Sequence, residues 1–437
     1  MYTVIVRAKK DADALKATLK VFYKNWDIRV KTLHGVRTLE KFYDNLLDAI
    51  DPGRFNIVLV GREDRDKIVL EKGMPINVAF FLVPKNKVRN ARLTTIRESL
   101  ENGRAKFRNV IYWNKTYILG RSEGVKLDFD ALPAYDNFFL FGEKGLKALS
   151  NFLGDISGIL LLVRKLGGEH DVFSGPQLIG KIKIPDFGNV KGEVINKQIF
   201  TTNIQDIVKS NTIILNTFEN IALSLLRSLK SEYDTVIVPW SGGRDSTATL
   251  ILASKVFKKN LFPVYVDMEL EFSFVRSYID HVSKILGLKV ETAHVNLKEK
   301  VIEKGFPKHD DRWCTKLKIN ALHEKISEIA SGKTLIVVGD RDAESELRSK
   351  RSPIRPDNHY MQVAPIKNWS ASQAQIYIIL NNIDLNPLYK YGFYRLGCWI
   401  CPSLRSWERF LMRKYRSEIL HDADRKLLDE FLENSSS

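Results

Sequence analysis

The residues of this chain best suited to chemistry are Ser241-Gly242-Gly243-Arg244-Asp245-Ser246. Adjacent glycines let backbone N–H groups approach an anion closely, and the flanking hydroxyls add donors. The apolar run Thr235-Val236-Ile237-Val238-Pro239 precedes this segment, and Thr247-Ala248-Thr249-Leu250-Ile251-Leu252 follows it. That order predicts a strand, a tight turn and a helix whose N-terminus supplies unpaired donors and the positive end of its dipole. A phosphate is the expected occupant. The loop is not a Walker A motif, which needs four residues between its glycines and then Gly-Lys. A second candidate centre is Cys398-x-x-Cys401, whose two thiols are within reach of one metal ion.

Both centres need a scaffold. Strands are expected near residues 235–238, 261–266, 289–295 and 334–338, with helices between them. Near-continuous apolar strands alternating with helices read as a doubly wound parallel sheet of Rossmann-like α/β class. Such sheets bind ligands beyond the carboxyl ends of their strands, at the topological switch. The glycine loop, Asp267 and Gly339-Asp340-Arg341 all fall at such ends, so one crevice is expected to collect them. We place this domain at residues 201–437, opening with a helix at 213–229. The tail Ser435-Ser436-Ser437 is expected to fray. Upstream, strands near 4–6, 28–33, 55–60 and 78–83 and helices at 11–26 and 39–50 predict a separate α/β or α+β module over residues 1–135. Residues 136–200 read as a connecting segment with a helix at 145–153, an apolar strand at 159–163 and a small β element among glycines and prolines.

Further segments follow the glycine loop in order: Tyr265-Val266-Asp267, then Arg312-Trp313-Cys314-Thr315-Lys316-Leu317-Lys318, then Gly339-Asp340-Arg341-Asp342-Ala343-Glu344-Ser345-Glu346-Leu347-Arg348. After them come Pro365-Ile366-Lys367-Asn368-Trp369-Ser370, Asn386-Pro387-Leu388-Tyr389 and Gly397-Cys398-Trp399-Ile400-Cys401-Pro402. Together with the loop they resemble the phosphoadenosine phosphosulfate (PAPS) reductase family of the PP-loop ATP pyrophosphatase superfamily. The resemblance covers residues 210–405 and leaves the N-terminal half unmatched. It implies an adenine nucleotide, either ATP or PAPS/APS, held by Ser241, Gly242, Gly243, Arg244, Asp245 and Ser246, with Asp267, Arg341 and Arg348 in further contact. Asp245 is the implied Mg²⁺ ligand, because vicinal phosphates need a hard cation. Asp245, Cys314, Lys318 and Arg341 are the implied catalytic residues.

The cysteines separate the reactions within that family. Three thiolates, Cys314, Cys398 and Cys401, suit a [4Fe–4S] cluster with one open iron, or Zn²⁺ with His309 or His323 as a fourth ligand. Adenylylsulfate-type reductases use four cysteines, and Trp313 stands where the first of a tandem pair belongs. Family reductases also carry a nucleophilic cysteine near the C-terminus, whereas no cysteine follows Cys401 in this sequence. The missing tail cysteine and the basic surface favour ATP-dependent adenylation of an acceptor, a tRNA or other nucleic-acid base, with sulfur delivered through a three-cysteine site. The resemblance alone favours sulfonucleotide reduction. The alternatives to adenylation are sulfonucleotide reduction with thioredoxin as donor, and a non-catalytic nucleotide- or RNA-binding protein.

Composition agrees with a polyanionic partner. Lys and Arg number 68 against 52 acidic residues, a net charge of +16 over 437 residues. A basic stretch over residues 85–108, followed by Tyr112-Trp113, and a second over 405–416 with interleaved aromatics are candidate RNA-facing surfaces. No apolar run reaches the ~20 residues of a membrane helix. The three cysteines make no disulfide framework, so a cytoplasmic protein is expected.

Overall fold

The computed structural model describes residues 1–434; the serine triplet at 435–437 lies outside the described residues. At the N-terminus, β1 (Tyr2–Val6), β2 (Ile28–Thr32), β3 (Phe55–Val60) and β4 (Val78–Leu82) form a parallel sheet in the order β2-β1-β3-β4. Every residue of β1 and β3 is buried, because helices α1 (Lys9–Phe22) and α2 (Leu39–Ala49) connect parallel strands across the sheet faces and α3 (Leu93–Asn109), after β4, packs back on the sheet. A small antiparallel sheet of β5 (Tyr112–Trp113), β6 (Tyr117–Ile118) and β7 (Val125–Lys126) follows.

The span expected to be a connector instead carries a five-stranded antiparallel sheet. Its strands are β8 (Asp136–Leu140), β9 (Leu160–Arg164), β10 (Glu169–Ser174), β11 (Gln177–Lys183) and β12 (Lys191–Val194), in the order β12-β11-β10-β9-β8. Helix α4 (Glu143–Leu153) joins β8 to β9. The glycines read as loop markers are hairpin punctuation: Gly175, at φ +54°, sits between β10 and β11.

Helix α5 (Ile204–Leu229) leads into the third sheet. There, β13 (Thr235–Pro239) is followed by α6 (Arg244–Phe257), β14 (Leu261–Asp267), α7 (Phe274–Leu286), β15 (Glu291–His294), α8 (Leu297–Lys304), α9 (Trp313–Ile329) and β16 (Thr334–Val337). Next come α10 (Glu346–Lys350), the hairpin β17 (Ile354–Asp357) and β18 (Tyr360–Val363), and helices α11 (Ala371–Leu380), α12 (Ser406–Ile419) and α13 (Arg425–Asn434). The order β15-β14-β13-β16-β18-β17 is parallel except for the β17 edge. Consecutive strands run outward from β13 on one side, and β16 returns on the other. The switch point therefore lies between β13 and β16.

One apolar cluster runs from Met1 to Leu432 and joins elements of all three larger sheets. Helix α11 stands where they meet, with Ala371 through Ile378 buried. Its polar side chains are there to satisfy other backbones. Gln375 accepts from Phe139 N at 2.8 Å and donates to Phe139 O at 3.1 Å, closing the open edge of β8. Gln373 Nε2 donates to Phe107 O at 2.9 Å.

The two basic stretches are partly tied into ion pairs, while Lys85, Arg92 and Lys414 stay exposed. Lys87 pairs with Glu63, Arg89 with Asp11, Arg97 with Glu101, Arg104 with Asp342 and Lys106 with Glu71. Trp113 is buried. In the later stretch, Arg405 pairs with Asp186 and Arg416 with Asp429, while Trp407 and Tyr415 are core residues. Sequence spacing alone does not distinguish such internal pairs from a solvated cationic face. Among the described residues, no helix is long and apolar enough to cross a membrane.

Candidate nucleotide site

Strand β13 ends at Pro239, and the chain turns through Gly242 at φ +71°, a left-handed conformation that a side chain would strain. Helix α6 then begins directly after Gly243, so its first-turn N–H groups have no partner within the helix. Ser246 Oγ donates to Gly243 O at 3.0 Å and lies 3.3 Å from Ser241 Oγ, which sets both hydroxyls at the mouth of the turn. From the next strand, Gly339 closes against this turn. A Cβ there would stand 2.9 Å from Asp245 C and O, so only glycine lets β16 and α6 approach this closely.

The two charged residues of the loop are held from below. Arg244 is 3% exposed; its N donates to Tyr389 Oη at 2.9 Å, its Nη1 donates to Tyr394 O at 2.7 Å, and its guanidinium lies 4.6 Å from the Tyr394 ring centroid. Arg341 is fully buried and bridges two carboxylates, with Nε donating to Asp245 Oδ1 at 2.8 Å and Nη1 to Asp136 Oδ2 at 2.9 Å. Asp136 opens β8 and also accepts from Ala371 N at 2.9 Å and Tyr394 Oη at 2.8 Å. Burial alone would raise its pKa, but Arg341, with Arg164 and Arg244, holds it well below the usual carboxylate range. Burial likewise opposes the charge on Arg341, and Asp136 and Asp245 more than restore it.

Asp245, Arg244 and Arg341 thus meet at one point, with the loop serines beside them. Arg348 stands one layer out, paired with Glu344 and 3.4 Å from Asp340. Asp267 ends β14 and accepts from Glu269 N at 3.0 Å, and its Oδ2 lies 3.5 Å from His294 Nδ1. Lys318 falls in a different group, close enough to Glu271 and Cys398 to influence the titration of both.

Cys398 pairs with Glu271 through an isolated antiparallel bridge. Burial pushes its thiol pKa up to about 12, with Lys318 opposing and Glu271 adding to the rise. Burial also raises the Cys314 thiol, with the Cys401 charge contributing. The three cysteines share an electrostatic neighbourhood. Even so, among the described residues no group of three or more His, Cys, Asp or Glu side chains is arranged to hold a metal ion. Burial of Cys314 and Cys398 works against the thiolate form that a cluster or zinc site needs.

Comparison with known proteins places this geometry. Residues 235–404 match the phosphoadenosine phosphosulfate reductase domain. The match lies within the C-terminal half of the chain. An uncharacterized protein of Methanocaldococcus jannaschii is 29% identical over 250 residues, covering 52% of this chain and 52% of the relative. A sulfate adenylyltransferase subunit 2 of Marinobacter nauticus is 28% identical over 208 residues, 40% of this chain and 66% of the relative. An adenosine 5'-phosphosulfate reductase of Lysinibacillus sphaericus is 26% identical over 189 residues, 41% of this chain and 79% of the relative. The match to the archaeal relative spans about half of that protein's length.

The family domain does not build its site alone. A cavity of about 310 Å³ opens beside Arg244, Asp245 and Arg341, and its far wall is the antiparallel sheet of residues 136–194, through Phe138, Leu162, Arg164, His170 and Ile182. Helix α12 and the segment before it close the third side. Sequence reasoning missed Asp136, Arg164, His170 and Tyr394. Asp136, Arg164 and His170 lie outside the recognisable motifs, and nothing in their local sequence signals the role. Tyr389 was legible as a motif residue, although its hydroxyl contact to Arg244 N was not.

Proposed function

We propose that this domain binds ATP at the N-terminus of α6, cleaves the α–β phosphoanhydride and transfers AMP to an acceptor oxygen. The supporting observation is the convergence, at the switch point, of a left-handed glycine turn, two hydroxyls, a helix N-terminus and Asp245. In this reading, backbone N–H groups of Gly242 and Gly243 and the hydroxyls of Ser241 and Ser246 hold the departing pyrophosphate. Both cationic contacts to Asp245 fall on Oδ1, from Arg341 Nε and Arg244 Nε, which suits Oδ2 to a Mg²⁺ ion shared with the phosphates. That ion would neutralise charge on the triphosphate. Arg348, 38% exposed and paired with Glu344, is placed to exchange its carboxylate for a phosphate oxygen. Asp267 would face the ribose.

The name of the Marinobacter relative supports adenylyl transfer, and that of the Lysinibacillus relative supports sulfonucleotide reduction. Reduction needs a thiolate, and burial disfavours that form at Cys398. Sulfur delivery through a three-cysteine metal site also lacks support in the arrangement of these thiols, so our reading stops at adenylation. Several cations of the basic stretches are paired with carboxylates, which weakens but does not remove their support for an RNA acceptor.

The test is direct. MgATP alone should give slow release of AMP and pyrophosphate in equal amounts, and Asp245→Asn should slow it at least about a hundredfold. Adenylylsulfate or PAPS with reduced thioredoxin should give no sulfite. Sulfite release in the absence of ATP would replace this reading with the reductase one.

A further inference from the structure

We infer that the cavity between the antiparallel sheet and the PP-loop is the acceptor subsite, and that its occupant is a small monocarboxylate with an apolar body, adenylated on the carboxylate. The inference rests on the adenylation reading above and names the substrate class.

Position is the first argument. Arg244 and Asp245, the first two residues of α6, line the cavity together with Arg341. A ligand there stands beside the loop that would hold the phosphates. The cavity volume of about 310 Å³ lies at the small end of the range for small-molecule sites.

Its chemistry is the second argument. One wall is apolar, built from Phe138, Leu140, Leu162, Ile182 and Ile184 of the antiparallel sheet and the strand end beside it. The rest is polar and cationic, with six arginines against four carboxylates. Arg341 is fully buried, yet its Nη2 has no hydrogen-bond partner, the Nε of Arg164 also lacks one, and that of Arg244 has only a 3.4 Å ion-pair contact to Asp245 Oδ1. A buried guanidinium N–H left unpaired is costly, so a ligand that supplies acceptor oxygens is favoured. The unmatched groups of the lining arginines are donors only. A carboxylate presents acceptors only, in the planar spacing that suits guanidinium forks. A nucleobase carries donors as well as acceptors and no charge, and it leaves the excess of arginines unbalanced. Adenine itself is a poor fit for the same reason, and Asp267, the residue expected to meet the ribose, does not line this cavity.

The reaction balances without a further reagent. One carboxylate oxygen forms a bond to the α-phosphorus, and the bond from that phosphorus to the α–β bridging oxygen breaks. Pyrophosphate leaves with the electron pair, giving an acyl adenylate. No proton or redox equivalent changes hands.

The experiment is ATP–pyrophosphate exchange by the full-length protein, with octanoate and 4-phenylbutanoate as probes and the matching amides as controls. Exchange should rise at least tenfold with either acid and not with its amide. Arg164→Gln should raise the acid's KM at least tenfold while changing kcat less. If that variant fails to fold, the acid-versus-amide comparison on the unaltered protein carries the test. No rise with either acid, in a protein that still releases AMP and pyrophosphate, overturns this inference and leaves the adenylation reading intact. Stimulation by RNA alone overturns it in favour of a nucleic-acid acceptor. Failure to cleave ATP to AMP and pyrophosphate under any condition removes the adenylation reading, and this inference with it.

Discussion

Arg341 lies between Asp136 and Asp245 with no solvent exposure, so its two bonds tie the phosphate loop to β8, whose Asp136 lies 205 residues before Arg341. A buried pair of this kind adds little net stability, yet removing one partner strands the other charge. Arg341→Met should therefore lower unfolding stability by about 3–5 kcal/mol, read from urea denaturation. Adding Asp136→Asn in the same chain should recover at least about 1 kcal/mol of that loss, because the residual charge goes too. Additive losses would mean that the two side chains do not act as a pair. Asp136 touches neither phosphate nor acceptor in this account; it is a positioning residue, fixing the arginine that orients Asp245.

At the scale of elements, the approach of β16 to α6 decides the shape of the phosphate loop. Gly339→Ala puts a methyl group 2.9 Å from Asp245 C and O, and the first turn of α6 must move. Overpacking at this contact should cost about 1–3 kcal/mol of binding, so ATP affinity by calorimetry should fall about 5- to 150-fold. Unchanged affinity would show that the loop adjusts freely. The strands and helices carrying this contact were legible in advance, because buried parallel strands read as continuous apolar runs and glycine marks the turns between them. The turn and its serines, proposed to hold phosphate, were legible for the same reason, since a tight turn restricts residue types locally. Of the sheet of residues 136–194, the strand near 159–163 and the helix before it were legible, but the five-stranded pairing was not. Its strands are punctuated by Gly and Pro in a pattern shared with loops, and its pairing partners are set by tertiary contacts such as Gln375 with Phe139. The acceptor wall was invisible because apolar residues facing a cavity look like those facing a core. Charge was misleading for a related reason: Arg104 and Asp342 pair across 238 residues, a distance no window of sequence spans.

At the scale of the whole molecule, the shared apolar cluster predicts a single cooperative unfolding transition, with far- and near-ultraviolet circular dichroism signals coinciding. Separate transitions would show that the N-terminal sheet stands alone. Acid sensitivity should appear early. His170 is buried among Phe138, the strands of its own sheet and the cavity arginines, and burial lowers its pKa to about 3. The folded protein keeps it neutral, while the unfolded chain takes up a proton below about pH 6.5. The stability it contributes is complete above that value and is lost as pH falls towards 3, with a slope approaching about 1.4 kcal/mol per pH unit. His170→Gln should flatten the curve between pH 6.5 and 5; an unchanged slope would place the pH dependence elsewhere.

The account as a whole turns on where a triphosphate binds. A crystal structure with a non-hydrolysable ATP analogue should place phosphate oxygens about 3 Å from the Gly242 and Gly243 nitrogens, with the Ser241 and Ser246 hydroxyls alongside. Phosphates found elsewhere, with the turn after β13 left empty, would contradict it.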